Sequence, residues 1–266
     1  MKNVNEGDSM IIHYSSDIHA DFWIPFKNNQ MKWEKNTRLF AETVRPESAG
    51  EVLVVAGDLS NLNRQSMWLL DVWQQYYEQI FIVLGNHDYY LDSGSQSKKY
   101  MFSSPNRIKE LQDFISSYKN IKLLEEFKPV VYGDKIFAGD TAWYSIKTNV
   151  ERDFFYGLSN DSRLIKGFNI MEAYDKCQQD YDQLDRADII ITHVPPIRFK
   201  GHETYGNTLG YLTEFPSLKA PIWIAGHCHD VGVYQVEGTN TTVYTNAFGY
   251  PERKWQEWPM FQIIKI

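Results

Sequence analysis

Cysteine is scarce: Cys177 and Cys228 are the only two in 266 residues. That excludes a disulfide framework and points to a reducing cytoplasm. No stretch of about 18 apolar residues occurs, so no membrane-spanning helix is expected. The apolar part of the opening MKNVNEGDSMIIHYSSD is too short for a signal peptide. Positive charge is also in short supply, with 27 Lys and Arg against 34 Asp and Glu, a net charge of −7. A chain of that sign is not built to wrap long nucleic acid. A small anionic substrate stays open, because a bound cation reverses the local field. No internal repeat, low-complexity tract or Pro/Gly/Ser linker divides the chain, so a single domain over residues 1–266 is expected. The oligomeric state is not legible. What remains is ordinary globular composition, 43% hydrophobic and 23% charged.

Strand and helix signals alternate along the chain. Met10–Ser15, Glu51–Ala56 and Gln79–Leu84 read as strands, the second apolar enough to be buried on both faces. Ser60 is placed to cap a helix from about Asn61 to Tyr77, and Ser104-Pro105 opens another carrying Ile108, Leu111, Ile115 and Tyr118. Pro129–Tyr132 and Lys135–Ala138 read as a hairpin turning at Gly133-Asp134. Asn169 and Glu172 form a capping box ahead of an apolar stripe from Ile170 to Leu184. Strand signals then dominate: Asp188–Thr192, Pro221–Ala225, Val231–Val236, Thr242–Thr245 and Met260–Ile266. The pattern predicts a sheet-centred α/β protein with an antiparallel second half.

The informative feature is how the strands end. Five run into clusters of Asp, Asn and His: Asp17-Ile18-His19, Gly57-Asp58, Gly85-Asn86-His87-Asp88, Thr192-His193 and Gly226-His227-Cys228-His229. Ligand sites in α/β sheets form beyond the carboxyl ends of strands. Carboxylate, amide oxygen and imidazole together suit Mn, Fe, Zn or Ni rather than Ca or a thiolate metal, with Mn favoured. Seven such residues exceed what one tetrahedral ion uses and suffice for two divalent ions about 3.5–4 Å apart. The glycines before Asp58, Asn86 and His227 would permit sharp exits from the strands.

The ordered set D-x-H, G-D, G-N-H-D, H and G-H-x-H resembles the signature of calcineurin-like metallophosphoesterases, and it spans Asp17 to His229. Asn246–Glu252 (NAFGYPE) and the Asn160-Asp161 stretch resemble small bacterial and phage members of that family. The resemblance implies a four-layer α/β/β/α fold, a β-sandwich flanked by helices. It also implies that Asp17, His19 and His229 hold one metal, that Asn86, His193 and His227 hold a second, and that Asp58 bridges both. His87 would bind no metal. Beside a phosphate bound near Asn86 and His87, it would protonate the leaving oxygen, or stabilise charge as it develops, during in-line attack by a metal-bridged hydroxide. The expected substrate is a small phosphate ester, a phosphodiester or nucleotide first, with no membrane partner.

Two alternatives use the same fold. A protein Ser/Thr phosphatase typically carries G-D-x-x-D-R-G and R-G-N-H-E, and the arginines are missing from Gly57–Asn61 and Leu84–Asp88. A non-catalytic scaffold is expected to have lost ligand residues, and here all seven stand beside His87. Other residues have plainer readings. His13 and His202 read as core or surface histidines, Cys228 as packing turned away from the metals, and Asp88 as a carboxylate orienting its loop. Asp21 is open between a loop residue and a supporting partner of the site. Lys98-Lys99 and the Arg107–Lys109 stretch read as solvated faces. Trp23, Tyr89, Tyr90, Trp143, Tyr144 and Phe155 lie where they could border the site. Packing is favoured for each taken singly, but the long segment Tyr89–Gly167 is expected to fold partly over the metals, with Trp143 contacting a nucleotide.

Overall fold

A computed structural model describes residues 9–48, 50–199, 210–251 and 259–266. Two mixed sheets stack face to face. The first runs in the order β11 (Gln262–Lys265), β1 (Ile11–Ser15), β2 (Val52–Ala56), β3 (Gln79–Val83) and β4 (Ile121–Leu123). The second runs β5 (Val130–Tyr132), β6 (Lys135–Asp140), β7 (Ile189–Thr192), β8 (Ile222–Ala225), β10 (Thr242–Asn246) and β9 (Val231–Gln235).

Period-two alternation sorts the side chains into layers. Val52, Val54 and Ala56 of β2, Phe81 and Val83 of β3, Ile189 and Ile191 of β7 and Ile224 of β8 fill the space between the sheets. Their neighbours Leu53, Val55, Ile80 and Ile82 face outward from the first sheet. There they meet Leu69, Leu70 and Trp73 of α3 (Asn63–Trp73) and Leu111 and Ile115 of α5 (Ser104–Ser116). Ile190, Trp223 and Val243 face outward from the second sheet, against Cys177 and Tyr181 of α8 (Ile170–Gln183). Each fully buried Ile, Leu or Val contributes roughly 1.5–3 kcal/mol, so three packed interfaces hold four layers in register. This is the expected α/β/β/α arrangement.

Several local expectations need correction. The second sheet is not antiparallel: β6, β7, β8 and β10 run parallel, and only the edge strands β5 and β9 are antiparallel to their neighbours. The signal was present, because Ile189–Thr192 is buried throughout, as a parallel strand covered on both faces must be. Ser60 does not cap α3. The helix begins at Asn63 after Leu62, and the Ser60 hydroxyl instead accepts from the Leu62 amide and donates to Gln65. Helix α2 (Gln30–Thr43), capped by the Asn29 side chain, was not foreseen, nor were β4 and the short helices α6 (Asn149–Leu158) and α7 (Asn160–Leu164). Asn169 does cap α8, accepting from the Met171 and Glu172 amides while donating to the Glu172 carboxylate.

Candidate metal centre

The carboxyl ends of β1, β2, β3, β7 and β8 carry Asp17, Asp58, Asn86, His193 and His227 to one edge of the sandwich. The two sheets touch there, through a bridge between Ser16 and Ala247. All seven predicted ligand residues meet at this edge. His19 Nε2 lies 3.0 Å from His229 Nε2, and His229 Nε2 lies 3.4 Å from Asp17 Oδ1. On the other side, Asn86 Oδ1 lies 3.0 Å from His193 Nε2 and 3.1 Å from His227 Nδ1. Asp58 Oδ2 stands between the two groups, 3.8 Å from His19 Nε2 and 3.4 Å from His193 Nε2.

Local backbone geometry makes this convergence possible. Asp17, His19, Asp58, His227 and His229 all adopt positive φ, between 46° and 68°. The left-handed conformation costs an L-residue roughly 1–2 kcal/mol, and such outliers concentrate where function fixes them. The glycines serve two different purposes. Gly57, at φ 87°, turns the chain sharply after β2. Gly85 and Gly226 have no positive φ; they are small because a Cβ would lie 2.1 Å from Asp58 Oδ1 and 2.8 Å from Asp17 Oδ2 respectively.

The donor chemistry identifies what the cluster holds. His193 Nδ1 lies 2.8 Å from the Ala56 carbonyl, and a carbonyl only accepts, so a proton sits on Nδ1 and Nε2 faces the cluster, where it offers a lone pair when the ring is neutral. His227 Nε2 bonds the Gly210 carbonyl in the same way, which leaves the lone pair on Nδ1. Asn86 spends its amide hydrogens on Asp161 and Tyr90. The atoms that meet are therefore two imidazole nitrogens, an amide oxygen and the Asp58 carboxylate, and positive charge must join them, as a metal ion or as a second proton on His193. Such a set needs a cation. The same demand shows in the acidities. Burial disfavours a charged imidazole at His193, yet Asp58, Asp17 and the Ala56 carbonyl push it up to about 10. Burial and the neighbouring His193 push His227 down to about 4. Burial raises Asp58, but His193, His87 and His19 outweigh it and hold the carboxylate well below its usual range. The residues present thus fit divalent metal.

His87 enters the same cluster. One ring nitrogen lies within 4.8 Å of ligand atoms of His19 and Asp58. Its Nδ1 is 2.8 Å from Asn61 Oδ1, and its backbone amide donates to Asp58 Oδ1 at 2.9 Å. The Asn61 orientation is pinned because its Nδ2 reaches Asp92 Oδ2 at 3.2 Å. His87 therefore donates from Nδ1 and keeps Nε2 for the proton work expected of it. Asp21 supports this arrangement by accepting from the Asn61 amide at 3.0 Å. Asp88 binds no candidate metal position. Its Oδ2 accepts from the Asp58 and Gly85 amides, and burial with the nearby Asp58 charge pushes it up to about 6.

Other expectations move. Trp143 and Tyr144 are each 2% exposed and Tyr90 is 3% exposed, packed with Phe155 in one cluster, so Trp143 has no face to offer a nucleobase. The aromatic surface that does flank the site was not singled out: Tyr250 stacks on His19 at 4.6 Å, and the half-exposed Phe22 packs on Tyr250 at 4.8 Å. Tyr250 did lie in the NAFGYPE stretch, whose Glu252 is outside the described residues, as is His202. Arg107 is not a solvated residue. It is fully buried and donates to the Ser60, His87 and Tyr90 carbonyls, clamping the loops that carry Asp58 and His87. Its spacing from Ile108 and Leu111 on the inner face of α5 was the available signal. His13 is a core histidine bonded to Tyr77, and Cys228 packs behind the second sheet with its thiol on the Tyr211 carbonyl. A cavity of about 830 Å³ opens on the far side of Tyr89 and Trp143, but its inner carboxylate, Asp140, is satisfied by the Glu126 and Ala142 amides.

Among the described residues no helix is long and apolar enough to cross a membrane. No curated protein sequence gives a significant match. Among solved structures, the phosphopantetheinyl hydrolase from Mycobacterium tuberculosis aligns over 97% of this chain and 96% of its own, with 16% identity and a TM-score of 0.70. A Vps29 mutant from Entamoeba histolytica aligns over 97% of this chain and 86% of its own, with 11% identity and a TM-score of 0.34. The first of these shares the fold; the second is too distant to carry weight. The sequence model of the calcineurin-like phosphoesterases matches residues 10–231. The chain thus belongs to the calcineurin-like phosphoesterase family, and it is a metal-dependent phosphoric ester hydrolase.

Proposed function

We propose that the protein hydrolyses a small phosphate ester, a phosphodiester or nucleotide by preference, at a centre of two divalent ions. The observation that carries this reading is the convergence of acceptor atoms around Asp58. Asp17, His19 and His229 would hold one ion and Asn86, His193 and His227 the other, with Asp58 shared. Manganese is the first metal to try, with Fe, Zn and Ni beside it, since imidazole and carboxylate sites follow availability as much as affinity. Two such ions would polarise the phosphoryl oxygens and bring the pKa of water between them towards neutrality. The protein's own residues supply the rest. Asn86 and His87 border the phosphate, and His87, oriented by Asn61, gives the leaving oxygen its proton. Phe22 and Tyr250 offer the leaving group a flat apolar surface beside His19.

A preference for small substrates follows from what recognises them. The motifs lack the phosphate-clamping arginines of protein phosphatases, and a net charge of −7 opposes polyanions. The buried, unpaired thiols of Cys177 and Cys228 suit a reducing cytoplasm. The test is a manganese-loaded panel of a bis-phosphodiester, a phosphomonoester, a cyclic nucleotide, a phosphopantetheinyl ester and a phosphopeptide. The diester or nucleotide is expected to give the highest kcat/KM. Fastest turnover of the phosphopeptide would favour a protein phosphatase instead. No turnover by protein carrying two ions would favour a scaffold.

A further inference from the structure

We propose that Asp161 is a positioning residue that sets which end of the Asn86 amide faces the metal centre. An asparagine amide has two ends of nearly equal shape, and only the oxygen end can ligate a cation. Metal binding requires both imidazoles to be neutral, and beside two neutral rings the wrong end is the more comfortable one. His193 Nε2 and His227 Nδ1 then present lone pairs 3.0 and 3.1 Å from the amide, and a flipped NH2 would donate to both. Something on the opposite side must forbid the flip.

Asp161 does so. Its Oδ1 accepts from Asn86 Nδ2 at 2.9 Å, and a flipped amide would set a carbonyl oxygen against that carboxylate. The carboxylate cannot turn to accommodate it. Tyr90 donates to Oδ1 and Tyr144 to Oδ2, each at 2.5 Å. Tyr90 has then given its only hydrogen to Asp161, so towards Asn86 Nδ2, 3.0 Å away, it too can only accept. Both groups facing the nitrogen end are acceptors, and all are buried: Asp161 is 5% exposed, Tyr90 3% and Tyr144 2%. The segment between the G-N-H-D motif and β7, expected to close over the metals, thus acts from behind one of them. Partners of this kind typically change metal affinity by about 10–100-fold.

The inference rests on Asn86 being a metal ligand, and the test separates the two claims. Manganese stoichiometry and affinity are measured, by elemental analysis and calorimetric titration, for the wild type, Asp161→Asn, Asn86→Asp and the double variant. Near-ultraviolet circular dichroism reports folding. The wild type is expected to bind two ions. Asp161→Asn should weaken one of them by about 10–100-fold and spare the other. Asn86→Asp should also weaken it, because two carboxylates then face each other. In the double variant the new amide donates to the new carboxylate, and affinity should return to within about threefold of wild type. A loss of folding caused by Asp161→Asn would not be repaired by Asn86→Asp, so recovery in the double variant separates positioning from general stability. Wild-type affinity for both ions in Asp161→Asn, or a double variant no better than the weaker single one, overturns the proposal. A wild type that binds no manganese overturns the metal-centre reading itself.

Discussion

The two halves of the proposed centre are built by different means. Asp17, His19 and His229 are placed by backbone conformation. All three sit at positive φ, and the amides of Asp17 and His19 are tied to the Gly57 and Asp58 carbonyls. Asp17 also accepts from the Ser16 hydroxyl and the His227 amide, but the histidines have less support: His19 Nδ1 has no hydrogen-bond partner among the described residues, and His229 is 21% exposed. Asn86, His193 and His227 are held by side-chain hydrogen bonds instead, to Asp161 and Tyr90, to the Ala56 carbonyl and to the Gly210 carbonyl. Only His227 of these three has positive φ. Backbone strain fixes where a side chain starts, whereas a bond to its far end fixes where it points. With three bonded side chains against one, the second half is the better organised for metal.

Asp58 belongs to both halves, so its removal has the largest expected effect. Asp58→Asn replaces the carboxylate between His19 and His193 with an amide that cannot serve two cations. Purified Asp58→Asn is expected to hold neither ion and to show no measurable hydrolysis. Loss of a single ion, read by elemental analysis, would assign Asp58 to one half only and break the symmetry argued for it.

His87 belongs to neither half. His87→Ala should keep both ions and lower kcat by about 10²–10⁴-fold, the usual worth of general acid catalysis. The loss should shrink for esters with good leaving groups, which need no proton. If His87→Ala lost the ion near His19, His87 would be a ligand of the first half, and that half would be better supported than its hydrogen bonds suggest.

The contrast also explains what could be read in advance. Strand ends were legible because two signals coincide there, a continuous apolar run such as Val52–Ala56 and a break into Asp, Asn or His. The bracing groups gave no such double signal. Asp161, Tyr90 and Tyr144 come from separate parts of a long segment and matter only because the fold brings them behind Asn86. Helix α2 was missed because its buried face is narrow, Trp33, Thr37 and Ala41 at i, i+4 and i+8. Trp143 was misplaced because an aromatic residue near a site looks the same in sequence whether it lines the site or packs behind it. Packed between Tyr89 and Phe168, it is structural. Trp143→Ala should lower stability by about 3–5 kcal/mol in urea denaturation, where a substrate contact would have raised KM alone.

A chelator probes the two halves directly. Partial treatment with EDTA should remove the ion of the first half sooner, with affinities about tenfold apart or more, since second-partner bonds to ligands are worth about 10–100-fold. Titration of manganese back into stripped protein should then show two separable steps. His229→Ala should abolish the weaker step and His193→Ala the tighter one. Equal affinities would mean that backbone conformation organises a ligand as well as a bonded side chain does.

The smallest effect concerns the surface outside the first half. Phe22 is 47% exposed, its ring 4.8 Å from Tyr250 and 6.1 Å from His19. It touches no charged group of the second half, so its loss should leave metal binding and kcat alone. A flat leaving group resting on Phe22 and Tyr250 gains a ring contact worth about 0.5–1.5 kcal/mol beyond its buried area. Phe22→Ala is therefore expected to raise KM by roughly 2–10-fold for an aryl or nucleoside ester. An alkyl phosphodiester has no ring to stack, and its KM should change by less than about twofold. Because Phe22 is half exposed and outside the main core, thermal stability should hardly move, which separates this effect from that of Trp143→Ala. Equal rises for the aryl and alkyl esters would show that the ring only shapes the rim. A fall in kcat for both would mean that Phe22, through Tyr250, helps to hold His19, and that the first half has the histidine support it otherwise lacks.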